Sequence, residues 1–388
     1  MNTIKLTTQS IALFLILATS LIFCEKPQTA NRFNLFVSGQ DGYNTYRIPV
    51  LLVTKNGTLL AFCEGRKTGK GDTGNIDVLV KRSEDNGETW SEQQVIWDDG
   101  ENVCGNPCPV VDQKSGTIFL LMTRNLGTDH EPQIIKQESE DTRRIFFSSS
   151  TDDGLTWTEP TEITKDVKQE NWTWYATGPC TGIQLQRGEH KGRLVIPCDH
   201  IEAKTEKYFS HIIYSDDRGE TWHIGGSTPI DQLNECQVVE LADGRLLLNM
   251  RNYNRKEHLC RAISISDDSG MNWSDVYYDS TLIEPICQAS FIRYTLKSEQ
   301  NKNRLLFSNP ANEESRVKMT VRLSYDEGET WPVARLLHEG PSAYSSLVVL
   351  PNLEIACLYE AGIKNPYETI VFEKFSLEWL TDGEDSIF

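Results

Sequence analysis

Positive charge is scarce in this chain of 388 residues, in which 38 lysines and arginines face 56 aspartates and glutamates. The formal net charge of −18 argues against nucleic acid, or an anionic membrane surface, as the main partner. A small anionic substrate remains compatible with this charge, because a local group of cationic side chains can override the overall field. The sequence also lacks a Pro/Ser-rich linker after its start. We therefore predict a leader over residues 1–24, a short segment over residues 25–32 and one domain over residues 33–388.

The ten cysteines lack the regular spacing of a disulfide framework, and a chain of this length folds without such cross-links. Cys104 and Cys108 have no pair of histidines nearby, which argues against a zinc site. We expect most of the cysteines to be buried thiols, with one or two disulfides as the alternative.

The predicted leader combines Lys5 with an apolar stretch over residues 11–23, which is typical of a secretory signal and too short for a membrane span. Cys24 resembles the cleavage site of a bacterial lipoprotein, although Phe23 stands where a small residue is usual. Cleavage near residues 18–20 and an uncleaved anchor are the alternatives. We expect an exported protein that is periplasmic, secreted or held at the cell surface by an N-terminal lipid, with no other attachment to a membrane.

An octapeptide of the form Ser-x-Asp-x-Gly-x-Thr-Trp recurs along the chain. Copies begin at residues 83, 150, 215 and 324, and a fifth, at residue 266, has Asn272 in place of the threonine. Short apolar runs precede the first three copies and predict strands, while Asp and Gly suit a turn out of each strand. We expect the Asp to bond to N–H groups two or three residues ahead, and the Trp to pack on its own unit. We therefore interpret the octapeptides as structural.

The octapeptides are separated by about 50 to 70 residues, which suits a repeating unit of four short antiparallel strands. Division of residues 33–380 into six units gives about 58 residues per unit, which fits these intervals better than five or seven units. The predicted fold is all-β, a six-bladed β-propeller of four-stranded antiparallel blades. Five blades would carry the octapeptide and one would lack it.

Two features near the start of the domain point to chemistry. Arg47 opens an otherwise apolar strand, although Arg is rarely buried without a partner; it lies at the strand's rim or binds a carboxylate. A loop farther along presents Asp72, which taken alone would be a solvated surface residue. This loop contains Gly-x-Gly-x-x-Gly over residues 69–74, but a predicted strand follows where a dinucleotide-binding motif requires a helix.

The Tyr-Arg-Ile-Pro sequence at residues 46–49, followed by the repeated octapeptides, resembles the exo-α-sialidases (neuraminidases) of bacterial and animal type, which are six-bladed propellers. The resemblance covers essentially the whole chain after the leader. It implies a glycoside hydrolase that releases terminal α-linked sialic acids from glycoproteins, glycolipids and oligosaccharides with retention, through a covalent tyrosyl intermediate. It also implies that no metal or organic cofactor is required, and we expect a monomer.

The resemblance assigns four arginines to substrate binding. Arg47, Arg251 and Arg316 would clamp the carboxylate that sialic acid carries on its anomeric carbon, because guanidinium groups bind carboxylates as charge-assisted forks. Arg66 would contact the sugar near its 4-hydroxyl group. Arg304 and Arg322 lie in the same region and are alternatives to Arg316. Of the three, Arg316 fits the family position best.

Three residues are assigned to catalysis: Asp72 as general acid/base, Tyr344 as nucleophile and Glu235 as the partner of that nucleophile. A neutral tyrosine suits this substrate, because a second anion beside the substrate carboxylate would be repelled. A phenol with a pKa of about 10 does not attack at neutral pH without a base, and Glu235 would be that base.

Supporting roles are assigned to three further residues. Glu64 would help to hold the arginines, Glu360 would orient Arg47, and Asn106 lies in a segment that resembles part of the pocket lining. The aromatic segment at residues 172–179 either lines the pocket around the N-acetyl and glycerol groups or packs between blades.

Several alternatives to hydrolysis use the same or a similar site. A trans-sialidase would keep every site residue and differ in acceptor binding, whereas an intramolecular trans-sialidase would release an anhydro sugar. A hydrolase of the deaminated sugar would differ in its pocket for the N-acetyl group. A binding-only propeller would keep the arginines and lose Tyr344, Glu235 or Asp72, all of which are present, and a purely structural propeller would lack the arginines.

Overall fold

The structure is a computed structural model that describes residues 31–387. The predicted leader, including Cys24, lies outside the described residues. Within them the chain is built from strands and four short helices, none of which is long and apolar enough to cross a membrane. These helices are α1 (Glu131–Ile135), α2 (Thr164–Val167), α3 (Lys297–Gln300) and α4 (Leu377–Leu380).

Short β-branched and aromatic runs form the strands, and these pair in four sheets. In chain order the strands are β1 (Asn31–Val37), β2 (Thr45–Val53), β3 (Leu59–Arg66), β4 (Ile76–Ser83), β5 (Gln94–Trp97), β6 (Val103–Val111), β7 (Ile118–Asn125), β8 (Arg144–Ser150), β9 (Thr161–Glu162), β10 (Trp172–Thr177), β11 (Ile183–Gln184), β12 (Leu194–Glu202), β13 (Tyr208–Ser215), β14 (His223–Ser227), β15 (Leu233–Glu240), β16 (Leu246–Asn252), β17 (Cys260–Ser266), β18 (Tyr277–Ile283), β19 (Ser290–Thr295), β20 (Arg304–Pro310), β21 (Val317–Ser324), β22 (Val333–Val349), β23 (Ile355–Ala361) and β24 (Thr369–Phe375).

Within these sheets the strands form antiparallel units of four, and one parallel pair, Ile76 of β4 with Val103 of β6, joins the first two units; this confirms the all-β prediction. Strands β2–β5 form the first unit, β6–β9 the second and β15–β18 the fourth; the third is β10 with β12–β14, and β11 also pairs with β12. The fifth unit ends in residues 333–341 of the long strand β22, whose residues 342–349 begin the sixth. Strand β1 pairs with β24, so the N-terminal strand completes the last unit.

The hydrophobic core lies between the units. Six clusters of buried residues each combine side chains from two successive units, including one cluster that joins the sixth unit to the first. The leading strands also meet in succession: β2 contacts β6, β15 contacts β19, β19 contacts β22, and β22 contacts β2. Nine cysteines of the described chain are buried and free, which confirms the prediction of buried thiols.

Each octapeptide connects the third strand of a unit to the fourth. In the first copy, Ser83 Oγ accepts a hydrogen bond from Gly87 N at 2.9 Å, and Asp85 Oδ1 accepts one from Thr89 N at 2.9 Å. Asp85 therefore bonds four residues ahead, farther than expected, whereas Asp268 of the fifth copy also accepts a bond from Met271 N, three residues ahead, as expected. Gly87 supplies the positive φ of 84°. The sixth unit has no octapeptide, because its third and fourth strands, β24 and β1, come from opposite ends of the chain.

The octapeptide tryptophans fill space between units rather than the face of one unit alone. Trp157 meets Phe62 of the preceding unit edge to face at 5.8 Å between ring centroids, and Trp222 meets Phe119 in the same way at 6.2 Å. Trp331 packs as expected on its own unit, against Phe291 and Phe307, so the expectation holds for this copy and is incomplete for the others named here. The turn leaves the third strand beside the neighbouring sheet, whose apolar face is equally close.

Candidate active site

All six units contribute side chains to one cavity of about 400 Å³. Nine of the ten residues singled out in the sequence line it, and the tenth, Glu360, lies buried beneath its floor. The nine are Arg47, Glu64, Arg66, Asp72, Asn106, Glu235, Arg251, Arg316 and Tyr344. The cavity is thus the place where residues far apart in sequence come together.

Three guanidinium groups surround the ring of Tyr344. The Cζ atoms of Arg47 and Arg316 lie 5.2 Å and 5.5 Å from its centroid, and Arg251 Nη1 donates a hydrogen bond to its hydroxyl at 3.1 Å. Arg316 is further held by Tyr367, whose hydroxyl accepts a bond from Nη1 at 3.0 Å. This arrangement concentrates positive charge in a molecule that is negative overall, so the cavity suits an anionic group.

The hydroxyl of Tyr344 donates a short hydrogen bond to Glu235 Oε1. The other carboxylate oxygen of Glu235 accepts a bond from Arg251 Nη1 at 2.5 Å. Burial raises the pKa of Tyr344, and the charge of Glu235 raises it further, whereas the three arginines act in the opposite direction. In the resting site the phenol therefore keeps its proton, and Glu235 is positioned to accept it.

A single buried carboxylate joins Arg47 to Tyr344. Glu360 Oε1 accepts bonds from Arg47 Nε at 2.8 Å and from Ile48 N at 3.0 Å, and Oε2 accepts one from Tyr344 N at 3.1 Å. Ile48 has a φ of 58°, which is strained for a β-branched residue, and it lies in a bulge between Arg47 and Val50. The bond from its N–H group to Glu360 helps to hold this conformation, which directs Arg47 into the cavity.

The loop that carries Asp72 is tied to Arg66. Arg66 Nη1 donates to the carbonyl oxygens of Lys70 at 2.6 Å and Gly71 at 2.9 Å, and it lies 2.7 Å from Asp72 Oδ1. The Asp72 side chain remains 64% exposed. Burial acts to raise the pKa of Asp72, but Arg66 and Arg47 outweigh it and lower the pKa below its ordinary value. Strand β4 follows this loop, which confirms that it is not a dinucleotide-binding motif.

Glu64 supports the cavity from behind. Its Oε2 accepts a bond from Arg66 Nε at 3.0 Å, and its Oε1 accepts one from Asn106 N at 2.8 Å. Glu64 therefore holds one of the arginines rather than several. A Cβ atom on Gly105 would lie 2.4 Å from Glu64 Oε1, so the close approach of β6 to this carboxylate requires a glycine.

The sequence interpretation missed several residues of the cavity wall. Arg143 is buried, its Cζ lies 4.0 Å from the ring centroid of Trp174, and its Nη2 donates to Asn106 Oδ1. Arg143 precedes an apolar strand, as Arg316 does, and this shared pattern could have identified it. Tyr367 follows an Asn-Pro pair and carries no comparable signal.

In the aromatic segment at residues 172–179, one tryptophan lines the cavity and another packs in the interior, so each of the two interpretations holds for part of the segment. Trp174 lines the cavity, whereas Trp172 is buried and stacks on His200 at 3.6 Å between ring centroids. The competing arginines lie elsewhere: Arg304 is buried and pairs with Asp385 at 2.8 Å, and Arg322 does not line the cavity.

Comparison with known proteins identifies the family. The sequence profile of the BNR repeat-like domain matches residues 57–357. Human Sialidase-3 is 31% identical over 404 residues, an alignment that covers 88% of this chain and 91% of the relative. This chain belongs to the sialidase family.

Other sialidases are longer than the aligned region. The Sialidase of Micromonospora viridifaciens is 36% identical over 366 residues, which cover 89% of this chain but only 54% of that protein. The solved structure of Hadza microbial sialidase Hz136 superposes with a TM-score of 0.81 at 32% identity, covering 90% of this chain and 69% of the other. The chain thus spans about half of the first of these relatives and about two thirds of the second.

Proposed function

We propose that this sialidase-family chain is an exo-α-sialidase that hydrolyses terminal α-linked sialic acids with retention of configuration. The observation that carries the proposal is the Tyr344–Glu235 hydrogen bond inside a ring of three arginines, with Asp72 on the adjacent loop. Glycosidases that use a tyrosine nucleophile are known among the sialidases, whose substrate bears its own carboxylate at the reacting carbon.

In the proposed complex, Arg47, Arg251 and Arg316 bind the substrate carboxylate. This pose places the anomeric carbon over Tyr344, because all three guanidinium groups lie around that side chain. Binding also supplies a negative charge to Arg47, one of the three arginines that lower the pKa of Asp72. The pKa of Asp72 therefore rises when substrate binds, which favours the protonated form that a general acid requires.

The first chemical step breaks the glycosidic bond. Asp72 donates its proton to the glycosidic oxygen, which leaves with the bonding electrons. The Tyr344 oxygen bonds to the anomeric carbon as its proton passes to Glu235. In the second step, ionised Asp72 takes a proton from water, whose oxygen attacks the same carbon, and Tyr344 leaves with the proton that Glu235 returns. Two inversions give net retention.

We further propose that the six units close into a six-bladed propeller of four-stranded blades. The cyclic series of hydrophobic clusters supports this, as does the pairing of β1 with β24. The substrates would be sialylated glycoproteins, glycolipids and oligosaccharides. A leader at residues 1–24 would export the protein to the periplasm, the cell surface or the medium, where residues 33–388 would act as a monomeric domain.

The decisive experiment compares hydrolysis of methylumbelliferyl α-sialoside by the wild type, Tyr344→Phe and Tyr294→Phe. Tyr294 is the control, because its hydroxyl bonds to Leu353 O outside the cavity. We expect wild-type turnover, near-normal turnover by Tyr294→Phe and a loss of at least about 10³-fold in kcat for Tyr344→Phe, which lacks the nucleophile.

A slow sialosyl fluoride with a second fluorine at C3 would test the intermediate directly. Mass spectrometry should find the added sugar on the peptide that contains Tyr344. Absence of turnover together with retained binding of sialic acid would instead favour a binding protein. Addition of lactose to the wild-type reaction would reveal a trans-sialidase as newly formed sialyllactose, and an anhydro product would reveal the intramolecular reaction.

A further inference from the structure

A half-buried ammonium group lies behind the wall of the cavity that Arg143 and Trp174 form. Lys168 directly follows helix α2, and its Nζ donates three hydrogen bonds: to Thr142 Oγ1 at 2.7 Å, to Arg143 O at 2.6 Å and to Thr173 O at 2.7 Å. These three bonds use all the donors of an ammonium group. None of the three acceptors is a carboxylate.

The acceptors belong to two different units. Arg143 directly precedes β8 of the second unit, whereas Thr173 lies in β10 of the third and is followed by Trp174. Within the cavity the guanidinium group of Arg143 stacks on Trp174 with its Cζ 4.0 Å from the ring centroid. Lys168 therefore joins, on the outer side, the two backbone segments whose side chains meet on the inner side.

We propose that Lys168 is a positioning residue for substrate binding: its three hydrogen bonds fix the Arg143–Trp174 wall at the width that the sugar requires. The inference rests on the proposed function. Lys168 itself does not line the cavity and touches no reacting atom. Its effect reaches substrate only through Arg143 and Trp174, so it should change binding more than the chemical step.

The protonation of Lys168 makes this arrangement sensitive to pH. Burial, together with the charges of Arg143 and Arg144, lowers the pKa of Lys168 to about 7, while Asp141 acts in the opposite direction. A neutral amine has two N–H donors for the same three partners, so deprotonation removes one of the three donated bonds and the charge that strengthens the other two. We expect the wall to loosen as the pH rises through about 7.

The other charged groups around Lys168 do not produce the same transition. His200, which lies near it on β12, has its pKa lowered to about 3 by burial and by Lys168, so it stays neutral throughout this range. Four other charged side chains line the open cleft beside Lys168: Glu140, Asp141, Lys165 and Glu170.

The pH dependence of the free energy of unfolding has the opposite sign to the pH dependence expected for substrate binding. The pKa of Lys168 is lower in the folded chain than the ordinary value of 10.5, so between about pH 7 and 10.5 the unfolded chain binds more protons. Stability from this group therefore rises with pH in that window. A weakening of substrate binding above pH 7 would consequently report the geometry of the wall and not loss of the fold.

The test measures KM and kcat for methylumbelliferyl α-sialoside from pH 6 to 8.5 with four full-length proteins: the wild type, Lys168→Met, Lys168→Arg and Lys165→Met. Methionine keeps the length of the side chain and removes its donors, and arginine keeps a charge that does not titrate. Lys165 is the control, because it lies on helix α2, which directly precedes Lys168, and lines the same cleft but makes none of the three bonds.

We expect Lys168→Met to raise KM about tenfold at pH 6 with kcat changed less than about threefold, and this KM ratio to the wild type to approach one by pH 8.5. KM for Lys168→Arg should lack the transition near pH 7, and Lys165→Met should match the wild type. Melting temperatures confirm that each variant is folded. A Lys168→Met/wild-type ratio near one at pH 6, or a transition that persists in Lys168→Arg, would overturn the inference.

Two outcomes separate this inference from the proposed function. If the wild type neither hydrolyses the sialoside nor binds the 2,3-dehydro analogue of sialic acid in a calorimeter, the proposed function fails. If the wild type binds or hydrolyses and Lys168→Met does so equally well at pH 6, the role of Lys168 fails while the function stands.

Discussion

Glu360 offers the sharpest test of how the cavity is held together, because one buried carboxylate bonds to Arg47, Ile48 and Tyr344. We choose Glu360→Gln, which preserves size. If its amide oxygen keeps the bonds to Arg47 and Ile48, its amide NH₂ must face the N–H of Tyr344, donor against donor. The substitution therefore removes one hydrogen bond and the charge that pairs with Arg47.

The magnitude follows from these two losses. Removal of the charge from a hydrogen bond to a buried cation costs about 1.5 kcal/mol or more, and an unsatisfied buried N–H about 1 kcal/mol or more. We expect the free energy of unfolding to fall by about 2.5 kcal/mol at least. If the substitution also destabilises the transition state of hydrolysis by this amount, kcat/KM falls about 70-fold, because 1.36 kcal/mol corresponds to a factor of ten.

Urea unfolding followed by tryptophan fluorescence, together with sialoside hydrolysis, measures both quantities. Glu373→Gln is the matched control: Glu373 lies in the same sheet, is also buried, and accepts one bond, from the hydroxyl of Tyr359 at 2.6 Å. Its substitution should cost less than about 1 kcal/mol and leave activity unchanged. A Glu360→Gln variant within about 1 kcal/mol and threefold of the wild type would refute the reasoning.

Two further substitutions test the acid and the support of Arg66. Asp72→Asn should slow hydrolysis of sialyllactose by about 10²–10⁴-fold but affect a sialosyl fluoride much less, because fluoride leaves without a proton; equal losses on the two substrates would contradict the assignment. Gly105→Ala introduces a Cβ atom 2.4 Å from Glu64 Oε1 and displaces the carboxylate that holds Arg66, so KM should rise about tenfold. An unchanged KM would show that Glu64 is not needed to place Arg66.

Most of the repeating architecture could be predicted from the sequence, because the octapeptide is a local structure. Its Ser, Asp and Gly specify a turn within eight residues, so each copy marks the end of a third strand. No comparable sequence motif predicts the pairing of β1 with β24. It depends on contacts between the two ends of the chain, which only the packing of the complete molecule determines.

The cavity could be predicted only where its residues stand in recognisable surroundings. Arg47, Asp72 and Tyr344 lie in segments that resemble those of the sialidases, so the sequence alone predicts them as members of one site. Lys168 and Tyr367 lie in segments with no comparable pattern. Lys168 gains its three acceptors from segments that are separate in sequence, and such contacts leave no periodicity to detect.

The bond between Arg47 and Glu360 spans 313 residues, and the last sheet needs both ends of the chain. A chain made from its N-terminus therefore contains the acid loop and Arg47 long before it contains Tyr344 and Glu360. Until the final strands arrive, the strained backbone at Ile48 has no carboxylate to hold it, and the guanidinium group beside it has no fixed direction. The candidate site is therefore complete only after the last strands of the chain have been made and have packed.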